Sequence, residues 1–465
     1  MYLHTNLSSI IFNYAKLRQN YMITAEGDYK PISLWLVPVV GLAFASTQLS
    51  WALFNIAVPI FLKNIYHIPI GWVGFIMTWD NIIGFFVQPY VGSKSDSTRS
   101  RIGRRLPYII PGIILGAIFF YLIQYSRNFP LYVFLSSIVV FNLSMALYRS
   151  PAVSLMPDLV AKDQRSIGNG IVNLVGGAFS GASLFIAGSL LDSGNTEGAF
   201  AFVSIGMLLS LVILVSIVRE PKYEEEEDVV QEEELPFVNL RNELSYVFES
   251  DDPSYKYILF AILAWFIAWN AIEALYSIYV SEVFLPTIDP EEAAGQAGKV
   301  LFIFPIIFVI FTLIGGILGT KIGRLRTMRI GLLFFTAAII IGAFVQKDSL
   351  FGLAIDWQTS YRLIFIIAGA AWGLVNVNSI VVVWHHASDN GTGTGIYYAF
   401  ASAAAILGPT LAGALMQIQL SFLFFFSITA LFFALFFLFR VKTGEASDPS
   451  ISKAPLSDAI EEMMD

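Results

Sequence analysis

The sequence predicts an all-α integral membrane protein with twelve transmembrane helices, arranged as two six-helix halves. Of the 465 residues, 56% are hydrophobic and only 13% are charged, which is more apolar than a soluble domain needs for its core. The apolar residues form twelve runs, and each is long enough to cross a hydrocarbon layer of about 30 Å as a helix that satisfies its own backbone hydrogen bonds. A polar, glutamate-rich segment divides these runs six and six.

The predicted spans follow one another in chain order, separated by short polar connections. In the first half they lie at about 33–62, 70–92, 108–125, 131–152, 168–190 and 199–218. In the second half they lie at about 257–285, 299–320, 328–346, 362–385, 393–417 and 420–440. Five regions result: a leader (1–30), an N-terminal six-helix half (31–218), an acidic linker (219–255), a C-terminal six-helix half (256–441) and a tail (442–465).

The distribution of lysine and arginine predicts the orientation of these helices. If the N-terminus is cytoplasmic, 21 Lys and Arg residues fall in the cytoplasmic segments and 5 fall in the opposite loops. Because cytoplasmic loops carry an excess of positive charge, this difference places both termini in the cytoplasm. The leader lacks the charged start, apolar core and cleavage site of a secretory signal. We therefore expect a multi-pass protein of the cell membrane whose leader, linker and tail are cytoplasmic.

Two short motifs recur at nearly the same offset in the two halves. GSK at Gly92 follows the second helix and GTK at Gly319 follows the eighth, 227 residues later. GNGI at Gly168 opens the fifth helix and GTGI at Gly393 opens the eleventh, 225 residues later. Each match is short, but their similar offsets at equivalent positions predict a duplicated six-helix unit. Secondary transporters use this architecture around a binding site at the midplane.

Two acidic residues lie well inside predicted spans, away from the ends. Asp80 is about ten residues into the second helix, so at 1.5 Å per residue it lies about 15 Å deep, near the midplane. Glu273 is on the seventh helix, one turn after Trp269 and Asn270. Because an intramembrane charge is costly, such acids usually mark an ion or substrate pathway. We predict that Asp80 and Glu273 couple proton movement to transport; the alternative is a structural ion pair with another helix.

Amide and aromatic side chains recur at similar depths on several predicted helices. Amides offer both donors and acceptors to sugar hydroxyls, and indole or phenol rings pack against the apolar faces of sugars. The alternative is that the aromatic residues face lipid or fill the core, since 15% of the chain is aromatic. The predicted substrate-binding residues are Gln48, Trp51, Asn55, Asn81, Asn142, Arg149, Asn173, Trp269, Asn270, Trp372, Asn376 and Tyr397.

Arg149 allows two interpretations, because it lies at the inner end of the fourth helix. It could bind substrate, or it could pair with an acid such as Asp158 at the cytoplasmic rim.

The loop GSKSDSTRSRIGRR joins the second and third helices on the predicted cytoplasmic side. The topology rule explains its basic residues but not its aspartate. An aspartate near the start of a neighbouring helix, such as the eleventh, would accept hydrogen bonds from unpaired N–H groups in a favourable dipole. We therefore predict a gating loop formed by Asp96, Arg101, Arg104 and Arg105.

Other function classes have little support in the sequence. The chain has no cysteine, and it has no glycine-rich phosphate loop, metal-ligand quartet or nucleophile triad. His385 and His386 are adjacent, so on a helix they point about 100° apart and cannot chelate one metal together. A membrane sensor would need a folded soluble domain, which the short linker and tail do not provide. We expect no enzymatic activity, cofactor, metal or nucleic-acid partner.

Four blocks of sequence carry a family resemblance. They read LSWALFNIAVPIFLKNIYHIPIGWVGFIMTWDNIIGFFVQPYVGSKSDSTRSRIGRRLPYI, YRSPAVSLMPDLVAKDQRSIGNGIVNLVGG, WGLVNVNSI and GTGIYYAFASAAAILGP. These blocks resemble plant sucrose transporters and their animal and bacterial relatives in the glycoside-pentoside-hexuronide cation symporter group. The resemblance implies a major facilitator fold and symport of a sugar or glycoside with a cation, commonly a proton.

Single residues follow the family pattern only in part. The WD pair at Trp79 and Asp80 is similar to that of the melibiose carrier, which implies a coupling role for Asp80. That carrier has a second carboxylate one turn later, where this chain has Gly84, so the resemblance favours a proton over sodium. The substrate arginine of plant sucrose transporters aligns with Val153, four residues after Arg149, so sucrose itself is not implied.

We therefore predict a monomeric, proton-coupled symporter of a sugar or glycoside, such as a sucrose-like disaccharide, that works in the lipid bilayer by alternating access. A sodium-coupled sugar symporter is one alternative. A major facilitator exporter of a drug or metabolite is another, and it would have an apolar cavity with fewer amides.

Overall fold

The computed structural model describes residues 32–161, 164–220, 245, 247–248, 252–388 and 390–444. Within these residues, twelve helices are long and apolar enough to cross a membrane, as predicted. The first six are α1 (Leu34–Ile65), α2 (Ile70–Asp96), α3 (Leu106–Ser126), α4 (Leu131–Leu159), α5 (Ile167–Asp192) and α6 (Thr196–Ile217). The second six are α7 (Ser254–Phe284), α8 (Pro290–Ile322), α9 (Arg324–Gly342), α10 (Trp357–His386), α11 (Thr392–Met416) and α12 (Phe422–Arg440).

The observed helices differ from the predicted spans mainly at their ends. Helix α8 begins at Pro290 rather than at 299, because Asp289 caps its first turn by accepting a hydrogen bond from Glu291 N (2.9 Å). Helix α10 begins at Trp357 rather than at 362, and Asp356 caps it. These early turns are polar, so apolar runs alone did not predict them. After α9, the chain forms a two-stranded antiparallel hairpin of β1 (Val345–Gln346) and β2 (Ser349–Leu350) instead of continuing as helix to 346.

Several membrane helices are interrupted, which the sequence did not predict. Helix α2 consists of Ile70–Ile76 and Trp79–Asp96, separated by a turn at Met77 and Thr78. Three helices contain a π-helical turn, in which the backbone hydrogen bonds span five residues; such turns are frequent at functional sites. They are Phe61–Ile65 in α1, Ser183–Ala187 in α5 and Val280–Phe284 in α7.

The described residues divide into two compact units. Unit 1 contains the described parts of 32–51, 86–180 and 200–220, and unit 2 contains the described parts of 52–85, 181–199 and 245–444. The boundaries cut through α1, α2, α5 and α6. The units therefore differ from the predicted six-helix halves, which are defined by chain order and stay a prediction, as does the orientation of the termini.

Aromatic and small side chains pack the core of each unit. In unit 1, the Phe120 ring stacks on Phe200 with 4.9 Å between centroids and also packs against Phe141 on α4. In unit 2, the Asn378 side chain is fully buried and donates to Gly315 O (2.9 Å), which joins α10 to α8. Asn378 was not among the predicted functional residues, because a buried amide that bonds the backbone of another helix has no local sequence signal.

The repeated glycines occupy equivalent packing positions within their own units. A Cβ atom on Gly92, at the end of α2, would lie 2.7 Å from Ser150 Oγ on α4. A Cβ atom on Gly319, at the end of α8, would lie 2.0 Å from Asn378 Oδ1 on α10. A side chain at Gly319 would meet the buried Asn378 amide, and one at Gly92 would displace the Ser150 hydroxyl; the two contacts join corresponding helices. This correspondence accords with the predicted duplication.

Candidate functional site

Asp80 lies immediately after the interruption of α2. The first segment of α2 packs so closely on α11 that a Cβ atom on Gly74 would lie 2.1 Å from Pro409 O. Thr78 then donates its hydroxyl to Phe75 O (2.7 Å) at the turn. This places Asp80 in the first turn of the second segment, where the helix dipole favours a negative charge. Asn81 also donates to Asp80 Oδ1 (2.8 Å).

The structure brings the two predicted coupling acids together within unit 2. Asn55 Nδ2 on α1 donates a long hydrogen bond of 3.5 Å to Glu273 Oε1 on α7. Trp269 lies one turn earlier on the same helix. The Asp80 carboxylate lies within electrostatic range of Glu273, so a negative charge on one acid opposes a negative charge on the other. Asn55, Asp80 and Glu273 thus form one polar cluster, called the carboxylate cluster below, built from α1, α2 and α7.

The predicted aromatic binding residues of unit 2 pack against other rings. Trp269 stacks on Phe304 with 3.8 Å between centroids and an interplanar angle of 12°. Trp372 contacts Trp269 at 5.8 Å and Phe335 at 5.4 Å, and it is only 5% exposed. In this conformation the two indoles form an aromatic core with little open ring surface. A sugar platform at these tryptophans stays a prediction.

The remaining predicted polar residues of unit 2 have varied surroundings. Asn270 donates to Phe266 O of its own helix (2.7 Å). This hydrogen bond occupies one amide N–H that could otherwise donate to a ligand. Tyr397 is buried, and its hydroxyl lies 3.2 Å from Ser379 Oγ on α10. Asn376 is half-buried on the same helix as Ser379. The predicted binding residues are therefore not all available to one ligand in this conformation.

Trp51 and Arg149 form the central contact of the predicted binding residues in unit 1. The guanidinium carbon of Arg149 lies 4.4 Å from the centre of the Trp51 ring, a cation–π geometry. Asn142, two turns before Arg149 on α4, is 2% exposed, and neither polar atom of its amide has a hydrogen-bond partner among the described residues. The Trp51 indole N–H has no partner among them either. Since buried polar groups are nearly always satisfied, these atoms are suited to bind a polar ligand.

The other two predicted amides of unit 1 lie where α1 meets α5: Asn173 is on α5, and Gln48 is on α1. Asn173 donates to Asn169 O of its own helix (2.8 Å). Gln48 is half-buried, and a Cβ atom on Gly176 would lie 3.3 Å from its Cγ atom, so α1 and α5 approach closely here.

Asp158, the acid named as a possible partner of Arg149, is bonded by two arginines of the loop between α2 and α3. Asp158 accepts two hydrogen bonds from Arg104, at 3.1 and 2.6 Å, and one from Arg105 Nε at 2.7 Å. Arg105 also forms an ion pair with Asp96. Asp158 lies more than two helical turns after Arg149 on α4. The acid is therefore within reach of the loop arginines, whereas the Arg149 side chain contacts Trp51 on α1.

The predicted gating loop is therefore a charge network within unit 1. Asp96, Arg104 and Arg105 take part in it, whereas the Arg101 side chain is exposed. In this unit the acid at a helix N-terminus is Glu220, which accepts the backbone N–H groups of Arg104 (2.7 Å), Arg105 (2.9 Å) and Leu106 (2.6 Å) at the start of α3.

Glu220 lies in the predicted acidic linker (219–255). Its side chain is 9% exposed and bound to the start of α3. Burial raises the pKa of Glu220 above its ordinary value against the opposing effect of the three backbone hydrogen bonds, and the nearby Asp158 carboxylate adds to the rise. The acidic composition of the predicted linker therefore did not indicate that Glu220 has a structural partner.

Polar links also join helices at the predicted outer side within unit 2. Lys63 on α1 forms an ion pair with Glu282 on α7. Lys299 on α8 forms an ion pair of 2.5 Å with Asp192 on α5. Neither ion pair was predicted, because nothing in a single sequence indicates which distant acid a lysine will meet.

The cluster chemistry suits ion binding by carboxylates rather than a multi-ligand metal centre. Within the described ranges, no group of three or more His, Asp or Glu side chains is placed to hold a metal ion. The carboxylate cluster offers two acids and an amide, which can exchange a proton or balance one monovalent cation.

Comparisons with known proteins agree with this architecture. The model of the Major Facilitator Superfamily matches residues 40–288 and 283–462. The general alpha-glucoside permease of Schizosaccharomyces pombe is 24% identical over a match of 309 residues that covers 59% of this chain and 54% of the permease. Sucrose transport protein SUC3 of Arabidopsis thaliana is 26% identical over a match of 174 residues that covers 33% of this chain and 29% of that protein. The matched part of the chain thus spans about half or less of these relatives.

Solved structures agree on the fold. The nucleoside transporter NupG has a TM-score of 0.65 at 14% identity, covering 89% of this chain and 100% of that chain. A bacterial homolog of the human lysosomal transporter Spinster, in an inward-facing and occupied conformation, has a TM-score of 0.62 at 16% identity, covering 89% and 97%. At these identities the likeness concerns the fold alone.

Proposed function

Because this chain belongs to the Major Facilitator Superfamily, we propose that it is a secondary active transporter that carries a sugar or glycoside across the cell membrane together with a proton. The sugar class is supported by the alpha-glucoside permease and sucrose transport protein among its relatives. The amide groups of the predicted binding residues can hydrogen-bond sugar hydroxyls, and their indole groups can pack against the apolar faces of sugars. We also propose that both termini are cytoplasmic and that the monomer is the working form.

The proposal that the transported sugar is coupled to a proton rests on the carboxylate cluster. Asp80 and Glu273 lie within electrostatic range inside the membrane, and Asn55 bonds Glu273. Two carboxylates in a medium of low dielectric repel each other strongly, so uptake of one proton relieves both the repulsion and the burial of charge. Protonation would therefore favour the loaded carrier during its conformational change. Each charge carried inward gains about 2.3 kcal/mol per 100 mV, enough for about 50-fold accumulation.

In unit 1, we propose that Trp51, Arg149 and Asn142 contact the sugar. The cation–π pair holds the guanidinium in place, while the indole N–H and the Asn142 amide supply unpaired donors and an acceptor. Sugar hydroxyls would satisfy both kinds of group. This site is tested separately from the carboxylate cluster.

Uptake of labelled mono- and disaccharides into proteoliposomes tests the function, with and without an imposed pH gradient. We expect accumulation of at least one sugar when the side opposite the termini is acidic. Asp80→Asn and Glu273→Gln should abolish accumulation but leave sugar exchange partly intact. Asp348→Asn, which changes an exposed acid in the hairpin, is the matched control. Normal proton-driven accumulation in Asp80→Asn would contradict the coupling assignment.

The same preparation separates the alternatives. A sodium-coupled carrier would respond to an imposed sodium gradient at constant pH. An exporter would fail to accumulate any sugar, and cells expressing it would gain resistance to a drug instead.

A further inference from the structure

A short segment after α12, residues 441–444 and called the strap below, is bound by three other helices of unit 2. Arg329 on α9 donates to Val441 O (2.7 Å). Ser254, at the start of α7, accepts the backbone N–H of Lys442 (3.1 Å). Gly444 has a φ of +106°, and a Cβ atom there would lie 2.8 Å from His386 Cε1 on α10. The strap is thus held in one conformation against the predicted cytoplasmic ends of α7, α9 and α10.

His386 is at the centre of this contact. Its side chain is 6% exposed, and Tyr255 stacks beside the ring with an interplanar angle of 19°. Nδ1 lies 2.8 Å from Val382 O, and Nε2 lies 2.9 Å from Thr443 Oγ1 in the strap. The Thr443 hydroxyl in turn bonds Asp252, whose carboxylate oxygen lies 3.8 Å from Nε2.

The positions of the hydrogen atoms follow from the partners. Val382 O is a carbonyl and can only accept, so Nδ1 must donate. Burial raises the pKa of Asp252, but hydrogen bonds from Thr443 and Ser254 outweigh that effect and bring it below its ordinary value, so this carboxylate is ionised and also only accepts. Thr443 has one hydroxyl hydrogen and gives it to Asp252. Nε2 must therefore donate to Thr443 Oγ1, and a ring that donates from both nitrogens is an imidazolium.

We propose that His386 is a proton sensor that docks the strap. The protonated ring donates to Val382 O and Thr443 together, whereas loss of either proton removes one of these hydrogen bonds and leaves two acceptors facing each other. The strap is then released, because Thr443 is its contact to the ring. Docking itself does not rest on the proposed transport function.

The charged groups around the ring set the balance of this switch. Asp252, before α7, favours the imidazolium by its negative charge. The neighbouring His385 on α10 disfavours it when charged, and so does the burial of the ring. Arg329 on α9 contacts the strap through Val441 O rather than through His386. The Lys442 side chain is exposed.

Release of the strap would free the predicted cytoplasmic ends of α7, α9, α10 and α12 from one another. If the chain imports protons as proposed, transport would acidify that side and keep the strap docked. The strap would then link the conformation of these helix ends to the pH change that transport itself produces.

The absence of native cysteine permits a direct test. In Lys442→Cys, a nitroxide attached to the exposed position reports strap mobility by electron paramagnetic resonance in reconstituted protein. We expect the mobile fraction to rise severalfold between pH 4 and 8, with most of the rise on the acidic side of the ordinary histidine pKa near 6.5, because burial of the ring opposes its positive charge. Added to this background, His386→Gln should abolish the rise, whereas His385→Gln, which changes the exposed neighbour, should retain it.

Two further variants keep the test decisive if His386→Gln does not fold. Asp252→Asn should shift the midpoint to lower pH, because it removes the charge that favours the imidazolium. Gly444→Ala should be mobile at every pH, since the strap cannot close on the ring. A mobility that does not change with pH in the Lys442→Cys background would overturn the proposal, as would an unchanged midpoint in Asp252→Asn or an unchanged rise in His386→Gln.

Discussion

Lys63 and Glu282 form an ion pair, and each of them lies in a π-helical turn, Lys63 at the end of α1 and Glu282 at the end of α7. A π-helical turn widens the helix and redirects the side chains after it, so the two irregular turns present these charges to each other. The pair lies on the predicted outer side within unit 2. Together with Lys299 and Asp192, it links α1 to α7 and α8 to α5.

We expect that reversing the charge of Lys63 lowers the stability of the protein, and that reversing the charge of Glu282 as well restores it. Lys63→Glu should lower the thermal unfolding temperature of the purified protein by a few degrees, because a partly exposed pair contributes about 0.2–1 kcal/mol and like charges repel by a similar amount. The swapped variant Lys63→Glu with Glu282→Lys should recover most of the loss. If the swap is as unstable as the sum of its single variants, the ion pair does not stabilise this end of the protein.

Asn55 and Glu273 should act as one unit in proton-driven uptake. Asn55→Ala, Glu273→Gln and the double variant form a cycle, and residues in direct contact show interaction energies of about 0.5–3 kcal/mol. The double variant should therefore be no worse than Glu273→Gln alone in initial rates of uptake under a pH gradient. Gln358→Ala removes an amide that bonds Gln296 and provides the control. Strictly additive losses would show that Asn55 acts independently of the acid.

The Trp51–Arg149 pair predicts a graded loss of substrate affinity. Lysine keeps the charge of Arg149 but not its flat guanidinium, so Arg149→Lys should raise KM about 2- to 30-fold, the range of a cation–π contact of about 0.5–2 kcal/mol. Trp51→Phe should raise KM less than Trp51→Ala, since phenylalanine keeps an aromatic face. The measurement is the initial rate of sugar uptake as a function of concentration. An unchanged KM in Trp51→Ala would remove this pair from the binding site.

Asn142 should show opposite effects on stability and on uptake. Its amide is buried without a hydrogen-bond partner among the described residues, a state that costs about 1–3 kcal/mol. Asn142→Leu should therefore raise the unfolding temperature in the absence of sugar while it lowers the affinity for the sugar. Asn173→Leu is the comparison, because Asn173 bonds its own helix and its replacement should not stabilise the protein. A variant that loses stability and keeps full uptake would assign Asn142 a structural role.

The sequence predicted the twelve helices because apolar length is a local property that the bilayer imposes on every span. It also identified Asp80 and Glu273, since a carboxylate within an apolar run stands out without any knowledge of its partner. Partners were predicted less well. Asp158 was named as a possible partner of Arg149, and it binds Arg104 and Arg105, because loop geometry decides which arginine an acid meets. The interruption of α2 before Asp80 and the role of Asn378 depend on close contacts with α11 and α8, which no single segment encodes.

Glu220 gives a prediction about stability and pH. Burial raises its pKa in the folded protein, so its contribution to stability is fully present below the ordinary glutamate value of about 4.3 and is lost as pH rises through the folded value. Glu220→Gln keeps an uncharged acceptor for the start of α3 and has no such pH dependence. The stability of the wild type relative to Glu220→Gln should therefore be greatest near pH 4 and decrease toward pH 7.

Thermal unfolding in detergent at several pH values measures this difference. Glu220→Ala should be less stable than Glu220→Gln at every pH, by about 1–3 kcal/mol, because it leaves the N–H groups of Arg104, Arg105 and Leu106 without their acceptor. Asp348→Asn, in the exposed hairpin, should follow the wild type throughout. If the wild type instead gains stability over Glu220→Gln as pH rises, the three backbone hydrogen bonds outweigh burial, and Glu220 acts as an ionised cap of α3.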